Sequence, residues 1–304
     1  MTLMSVEDAR QVLLSRAMAV ADRETVTLDR ALGRTLGSDI VARRAVPPAD
    51  NSAMDGFAVR AIDVVLGQPL PIRQTITAGA PGQALSPGDA ARIFTGGEMP
   101  PGADAVLIQE DAEFDAASLL PKAIVRSGEN VRPKGQDIRE GALVIACGQR
   151  LKPADLSLLA SIGHAEVVVY RQLTVAILST GDELVQPPKA LEAGQIYNSN
   201  RYALTALLTQ MGIAVVDIGI VPDRLDATMS ALVSAAQQAD VIICSGGVSV
   251  GDRDFVKDAV TQLGALEVWK LAIKPGKPMA FGHVYNKPFF GLPGNPVSTF
   301  VTFE

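Results

Sequence analysis

The chain has 304 residues, 48% of them hydrophobic, with 27 Gly and 19 Pro, which predicts two or three turn-rich globular domains and excludes a disordered chain. Lys+Arg 27 against Asp+Glu 33 gives a net charge of −6 with no block of like charge. That balance excludes a nucleic-acid tail and requires any anion to be bound locally, by lysines, metal ions or backbone N–H groups.

The first predicted element is a helix in "SVEDARQVLLSRA". Ser5 stands three residues before Asp8, a capping-box variant, and Ala9, Val12, Leu13 and Val20 share one helical face. The acidic start is no signal peptide, and no apolar run approaches a membrane span, so the expected location is cytoplasmic. Cys147 and Cys244, far apart and outside any CxxC pair, argue for a reducing compartment and against zinc. His164 and His283 lack metal-cluster or triad neighbours and read as structural.

From about residue 43 to 147 the texture changes to short apolar runs punctuated by Gly and Pro, which predicts a β-rich domain. Within it "PPADNSAMDGFAVR" sets two prolines and a polar run before an alternating segment, with Asp55 at the turn; Asp-Gly is a strong turn former, and Asp55 capping its own loop is the plain alternative to a functional role. "KPADLSLLASIG" reads as a short connector helix with Pro153 in its first turn and Gly163 beyond its end. Residues 1–42 and 148–172 are thus assigned to a helical and extended connector region.

Residues 173–304 alternate apolar strands with amphipathic helices: "LTVAILST", "RYALTALLTQMG", "AVVDIGI", "ATMSALVSAAQQA", "DVIICS". The rhythm predicts parallel βαβ units, with ligands at the carboxyl ends of the strands. Three loops at that edge carry carboxylates: Asp182 and Glu183, Asp223, then Asp252 and Asp254. Such a set suits Mg²⁺, which accepts one or two carboxylates together with phosphate oxygens and waters.

In "SGGVSVG" consecutive glycines let backbone N–H groups turn toward an anion; the motif is neither GxGxxG nor GxxxxGK[ST], and a tight turn without ligand is the alternative. "KLAIKPGKPMAFG" places Lys270, Lys274 and Lys277 around a Pro-Gly bend, a point-charge niche for a compact oxyanion, unless they are solvated surface lysines. "GLPGNPVSTF" ends a strand and starts a helix, with Pro296 first, Asn295 as cap, free N–H groups on the lysine side and Ser298 in the first turn.

Eight phrases in order, "PPADNSAMDGFAVR", "RIFTGGEMPPGADAVLIQED", "ENVRPKGQDIREGA", "STGDEL", "YNSNRYAL", "SGGVSVGDRDF", "KLAIKPGKP" and "GLPGNPVS", resemble MoeA, the molybdopterin molybdenumtransferases, relatives of the gephyrin E domain. The resemblance runs from about Val6 to the last residue. It implies a multidomain α/β protein: a parallel-sheet MogA-like α/β domain, a β-rich domain and the connector. The family's C-terminal β domain, on which gephyrin's peptide groove draws, has no counterpart before Glu304.

The implied function is a transferase reaction in molybdenum cofactor biosynthesis: molybdate enters adenylylated molybdopterin, with Mg²⁺-dependent release of AMP. The resemblance implies Asp223, Asp254 and Glu183 around the pterin phosphate, with Asp223 and Asp254 metal-binding. It implies Lys274, Lys277 and Ser298 in a molybdate pocket, Lys270 against phosphate, and Ser245, Gly246 and Gly247 as a phosphate-facing loop. It further implies a homodimer in which Asp55, Thr95 and Asp137 complete the partner's site in trans, and a MogA-like partner enzyme. The alternatives are a MogA-like adenylyltransferase, from which the β-rich insertion and the "KPGKP" lysines separate this chain, and a gephyrin-like scaffold.

Overall fold

The computed structural model describes residues 3–247 and 254–304, which fall into two units, Glu24–Val169 and Met1–Arg23 with Tyr170–Glu304. The chain leaves the second unit at Arg23 and returns to it at Tyr170, where the Arg171 N–H donates to Asp22 O at 2.8 Å.

Glu24–Val169 is built on a six-stranded sheet in the order Ala105–Ile108, Gly56–Val59, Ala90–Ile93, Leu70–Ile76, Ser118–Pro121, Ala112–Phe114. Side chains alternate between its faces, so Phe57, Val59 and Leu107 enter one apolar cluster while Ala58, Ala91 and Val106 enter another. Both faces are covered, which explains runs that are apolar throughout. A third cluster gathers Leu36, Ile145, Leu151 and Ile162 on Leu159 of the Pro153–Ser161 helix. Pro153 opens that helix, and Gly163 follows its end at φ 87°.

The other unit has a six-stranded sheet in the order Ala214–Val221, Thr174–Thr180, Val241–Ser245, Lys287–Leu292, Pro278–Val284, Gly264–Lys270. The first four strands are parallel, as expected. One strand breaks the all-parallel expectation: Pro278–Val284 runs antiparallel to both its neighbours, making the sheet mixed. The cause is local. Val284 pairs with Lys287, so the two-residue turn Tyr285-Asn286, with Tyr285 at φ 51°, is too short for a parallel crossover.

Alternation along Thr174–Thr180 sends Val175 and Ile177 to Leu204 and Leu208 of the Ser199–Gln210 helix. Ala176 and Leu178 go to Leu232 and Ala235 of Leu225–Gln238 and to Val256 and Val260 of Phe255–Leu263. Helices therefore cover both faces, and the carboxyl ends of the parallel strands are left at one edge. The Val6–Arg16 helix, capped as the Ser5–Asp8 spacing predicts (Asp8 N–H to Ser5 Oγ, 3.0 Å), packs through Ala9, Val12 and Leu13 on Trp269, Met279 and Phe281. It belongs to this unit by contact.

Candidate functional site

Parallel pairing in register aligns Ser179 with Ser245 and Ser245 with Leu292, so the loops after these strands open side by side. They enclose a cleft of about 780 Å³ lined by Thr180, Glu183, Asn200, Asp223, Ser245, Gly246, Gly247, Asp254, Asn295 and Ser298, among others. Every acidic loop of the sequence reading contributes one carboxylate. Asp252 lies outside the described residues.

Asp223 N–H donates to Asp182 Oδ1 at 3.1 Å, which ties the second acidic loop to the first. The Asp223 carboxyl is pushed above its ordinary value, chiefly by burial and further by the negative charges of Asp182, Glu183 and Asp254. Asp254 caps the Phe255–Leu263 helix, accepting from Lys257 N–H at 3.1 Å, and its other oxygen lies 3.1 Å from Lys257 Nζ. Its side chain is only 7% exposed, and burial raises its pKa although Lys257 opposes the shift. The exposed Asp223 carboxylate and the buried one of Asp254 line one cleft, and the negative charge of Asp254 adds to the upward shift at Asp223.

That donor set fits a divalent cation. Among the described residues no three His, Cys, Asp or Glu side chains form a metal-binding group. Mg²⁺, however, is commonly held by one or two carboxylates plus substrate phosphate oxygens, and a cation here would relieve the repulsion between Asp223 and Asp254.

The glycine pair serves close approach. A Cβ on Gly246 (φ 92°) would lie 2.7 Å from Thr180 O, and one on Gly247 (φ 64°) would collide with Val256 Cγ2. The Gly246 N–H donates to Leu292 O at 3.1 Å, so within the expected anion loop that N–H is already engaged. The expectation of free N–H groups at the last helix also changes. Pro296 has none, Val297 and Ser298 N–H donate to Asn295 Oδ1 at 3.1 and 3.2 Å, and Thr299 N–H donates to Asn295 O at 2.8 Å. What remains for a ligand is the helix dipole and the Ser298 hydroxyl, whose long 3.5 Å bond to Asn295 Oδ1 a ligand would have to replace.

The lysines stand apart from the cleft lining. Lys270 is half-buried in the edge strand opposite Pro278, and Lys274 and Lys277 are exposed on the following bend. Leu271 N–H closes that bend on Lys277 O at 2.7 Å, and Thr302 Oγ1 of the Pro296–Phe303 helix donates to Gly276 O at 3.4 Å. The bend therefore rests on the helix that carries Ser298, and Pro278, the next residue, does line the cleft.

The sequence reading named Ser245 and Ser298 but missed the other neutral polar residues. Ser179, Thr180, Asn198, Asn200, Thr228, Ser245, Ser298 and Thr299 are all buried, and all belong to this unit. Asn200 Nδ2 donates to Gly294 O at 2.9 Å, and its Oδ1 has no partner among the described residues. The signal was present: "YNSN" puts Asn198 at the start of a helix that it caps, an ordinary role that concealed its neighbour.

In the Glu24–Val169 unit, the Asp55 stretch is clamped from two sides. Ser52 N–H donates to Gly97 O and Met99 N–H to Asp50 O, both at 2.9 Å; Lys134 N–H donates to Asp50 Oδ1 at 2.7 Å and Asp137 N–H to Val46 O at 2.9 Å. Asp55 Oδ1 accepts from both Thr95 N–H and Thr95 Oγ1 at 2.8 Å, and these bonds, chiefly the backbone one, lower its pKa. Asp55 and Thr95 are therefore a bonded, exposed pair, while Asp137 is exposed on the same frame and tied through its main chain to Val46.

Comparison with known proteins gives concordant matches. Residues 4–163 match the MoeA N-terminal region (domain I and II), and residues 176–304 match a probable molybdopterin binding domain. The chain is 42% identical to a molybdopterin molybdenumtransferase of Haemophilus influenzae, over 99% of this chain and 75% of the relative. It is 39% identical to one from a Nostoc species, over 98% and 72%. Among solved structures it is similar to a molybdopterin biosynthesis MoeA protein of Pyrococcus horikoshii, at 34% identity and a TM-score of 0.85, covering 98% of this chain and 76% of that one.

Proposed function

Because the chain belongs to the MoeA family of molybdopterin molybdenumtransferases, enzymes of molybdenum cofactor biosynthesis, we propose that it inserts molybdate into adenylylated molybdopterin with Mg²⁺-dependent release of AMP. The observation that carries this reading is a pair of carboxylates with raised pKa, the exposed Asp223 and the Asp254 side chain buried at its helix start, lining one cleft beside Gly246-Gly247. Asp223 and Asp254 would hold the Mg²⁺, which when bound supplies Lewis-acid neutralisation of the phosphate charge.

Glu183 lines the same cleft and orients the polar groups of the substrate there. The glycine pair leaves room for a phosphate against the backbone, and Ser298 donates at the helix start, where the dipole favours an anion. Lys274 and Lys277 draw molybdate to the bend beside that helix, and Lys270 offsets phosphate charge from the edge strand. Asp55, Thr95 and Asp137 act on a partner subunit's substrate in a homodimer, and a MogA-like enzyme supplies the adenylylated pterin. Incubating the full-length protein with adenylylated molybdopterin, Mg²⁺ and molybdate tests the reading: AMP and a molybdenum-loaded cofactor should appear together, and AMP without loading, or neither, would refute it.

A further inference from the structure

Arg92 is an arginine that none of the reaction roles above uses. It sits on the Ala90–Ile93 strand directly opposite Phe57, and its guanidinium carbon lies 4.8 Å from the ring centres of Phe57 and Phe114 and 5.2 Å from that of Phe94. Phe57 and Phe114 themselves meet edge to face at 5.0 Å. Nη2 donates to Gln109 Oε1 at 2.7 Å, whereas Nη1 is buried with no partner among the described residues. A cation kept at such a place needs a use, since a hydrophobic side chain would pack on three rings without the desolvation cost.

The use follows from what adjoins it. Gln109 N–H donates to Asp55 O at 3.2 Å, so the residue that Arg92 grips is also the residue that holds the Asp55 main chain. Thr95, which donates twice to Asp55 Oδ1, lies three positions beyond Arg92 on the same strand exit. Gly56 fixes the third side: it pairs with Ile93 and Ile108, and a Cβ there would collide with Leu107 O. Asp55 thus hangs from three strand ends whose common tie is the Arg92–Gln109 bond, and the positive charge of Arg92 adds to the stabilisation of the Asp55 carboxylate.

We propose that Arg92 is the positioning residue of the Asp55–Thr95 pair, acting through Gln109 on the Asp55 main chain and through its charge on the Asp55 carboxylate. The inference rests on the reading of Asp55 as a residue of the reaction. A double-mutant cycle on the full-length dimer, read as kcat for AMP release, tests it. Arg92→Met keeps the apolar stem on the rings and should lower kcat about tenfold with little change in KM, and Arg92→Lys should recover part of the loss. In Asp55→Asn the same Arg92→Met change should cost nothing further.

Full activity in Arg92→Met, or losses that simply add in the double variant, would overturn the inference. Gln109→Leu, which leaves Arg92 in place, should reproduce the loss, and an unchanged kcat there would overturn the route through Gln109. If Asp55→Asn itself keeps full activity, the reaction role of Asp55 fails instead. The Asp55 carboxyl ¹³C shift at neutral pH then decides the matter: a shift displaced by Arg92→Met upholds the positioning role, and an unmoved one refutes it.

Discussion

Replacing Asp254 by asparagine keeps the volume and the helix cap but removes the charge that the cleft spends burial to retain. AMP release should fall on the order of a hundredfold while pterin binding largely survives, measured by turnover against equilibrium binding of the pterin. Lys274→Ala should raise the molybdate concentration needed for half-maximal loading, because an exposed point charge on the bend is lost without disturbing the sheet. Gly247→Ala meets both a left-handed φ of 64° and the Val256 side chain, so it should lower stability by about 1–3 kcal/mol in denaturant unfolding. At this scale the sequence displayed carboxylates and glycines well, because few other residues do their chemistry. It hid Asn200, in the first turn of a helix where neutral polar residues have ordinary capping duties, and Thr180, at the end of an apolar strand, and only burial distinguishes these two.

Local chemistry places whole elements where it is strong. Asn295 accepts two N–H groups of the last helix, and Asn295→Ala should cost about 1 kcal/mol, seen as a lowered midpoint of thermal unfolding. Asp240 joins strand starts: Arg171 Nη1 and Nη2 donate to its two oxygens at 2.9 and 2.8 Å, and Thr174 N–H donates at 2.9 Å. The Arg171 hydrogen bonds, first, hold its carboxyl below the usual range. Its stabilisation is therefore present above the unfolded carboxylate value and is lost as pH falls from there through the lowered folded value. Asp240→Asn should thus narrow the stability gap between neutral and acid pH, by about 1 kcal/mol given the partial exposure of Arg171. The capped helices were legible in sequence for the same local reasons. The antiparallel strand was not, because "PMAFGHV" is apolar in the manner of a parallel strand and its turn, Tyr285-Asn286, lacks the glycine that announces a hairpin.

For the whole molecule, legibility declines with sequence separation. The Val6–Arg16 helix was recognisable, but its packing on Trp269 and Phe281 joins residues more than 250 positions apart, and no local pattern encodes that. The polar excess of "PPADNSAMDGFAVR" has its explanation at this range too: the stretch is sewn to residues 95–99 and 130–138, which use its polar groups as partners. The central claim is that Asp223 and Asp254 hold the cation on which AMP release depends. Its most direct test is a Mg²⁺ titration of AMP release by the full-length protein, supplied with adenylylated molybdopterin and molybdate, for the wild type and for Asp223→Asn. The account predicts that the variant needs at least tenfold more Mg²⁺ for half-maximal release. An unshifted Mg²⁺ dependence in that variant would contradict it.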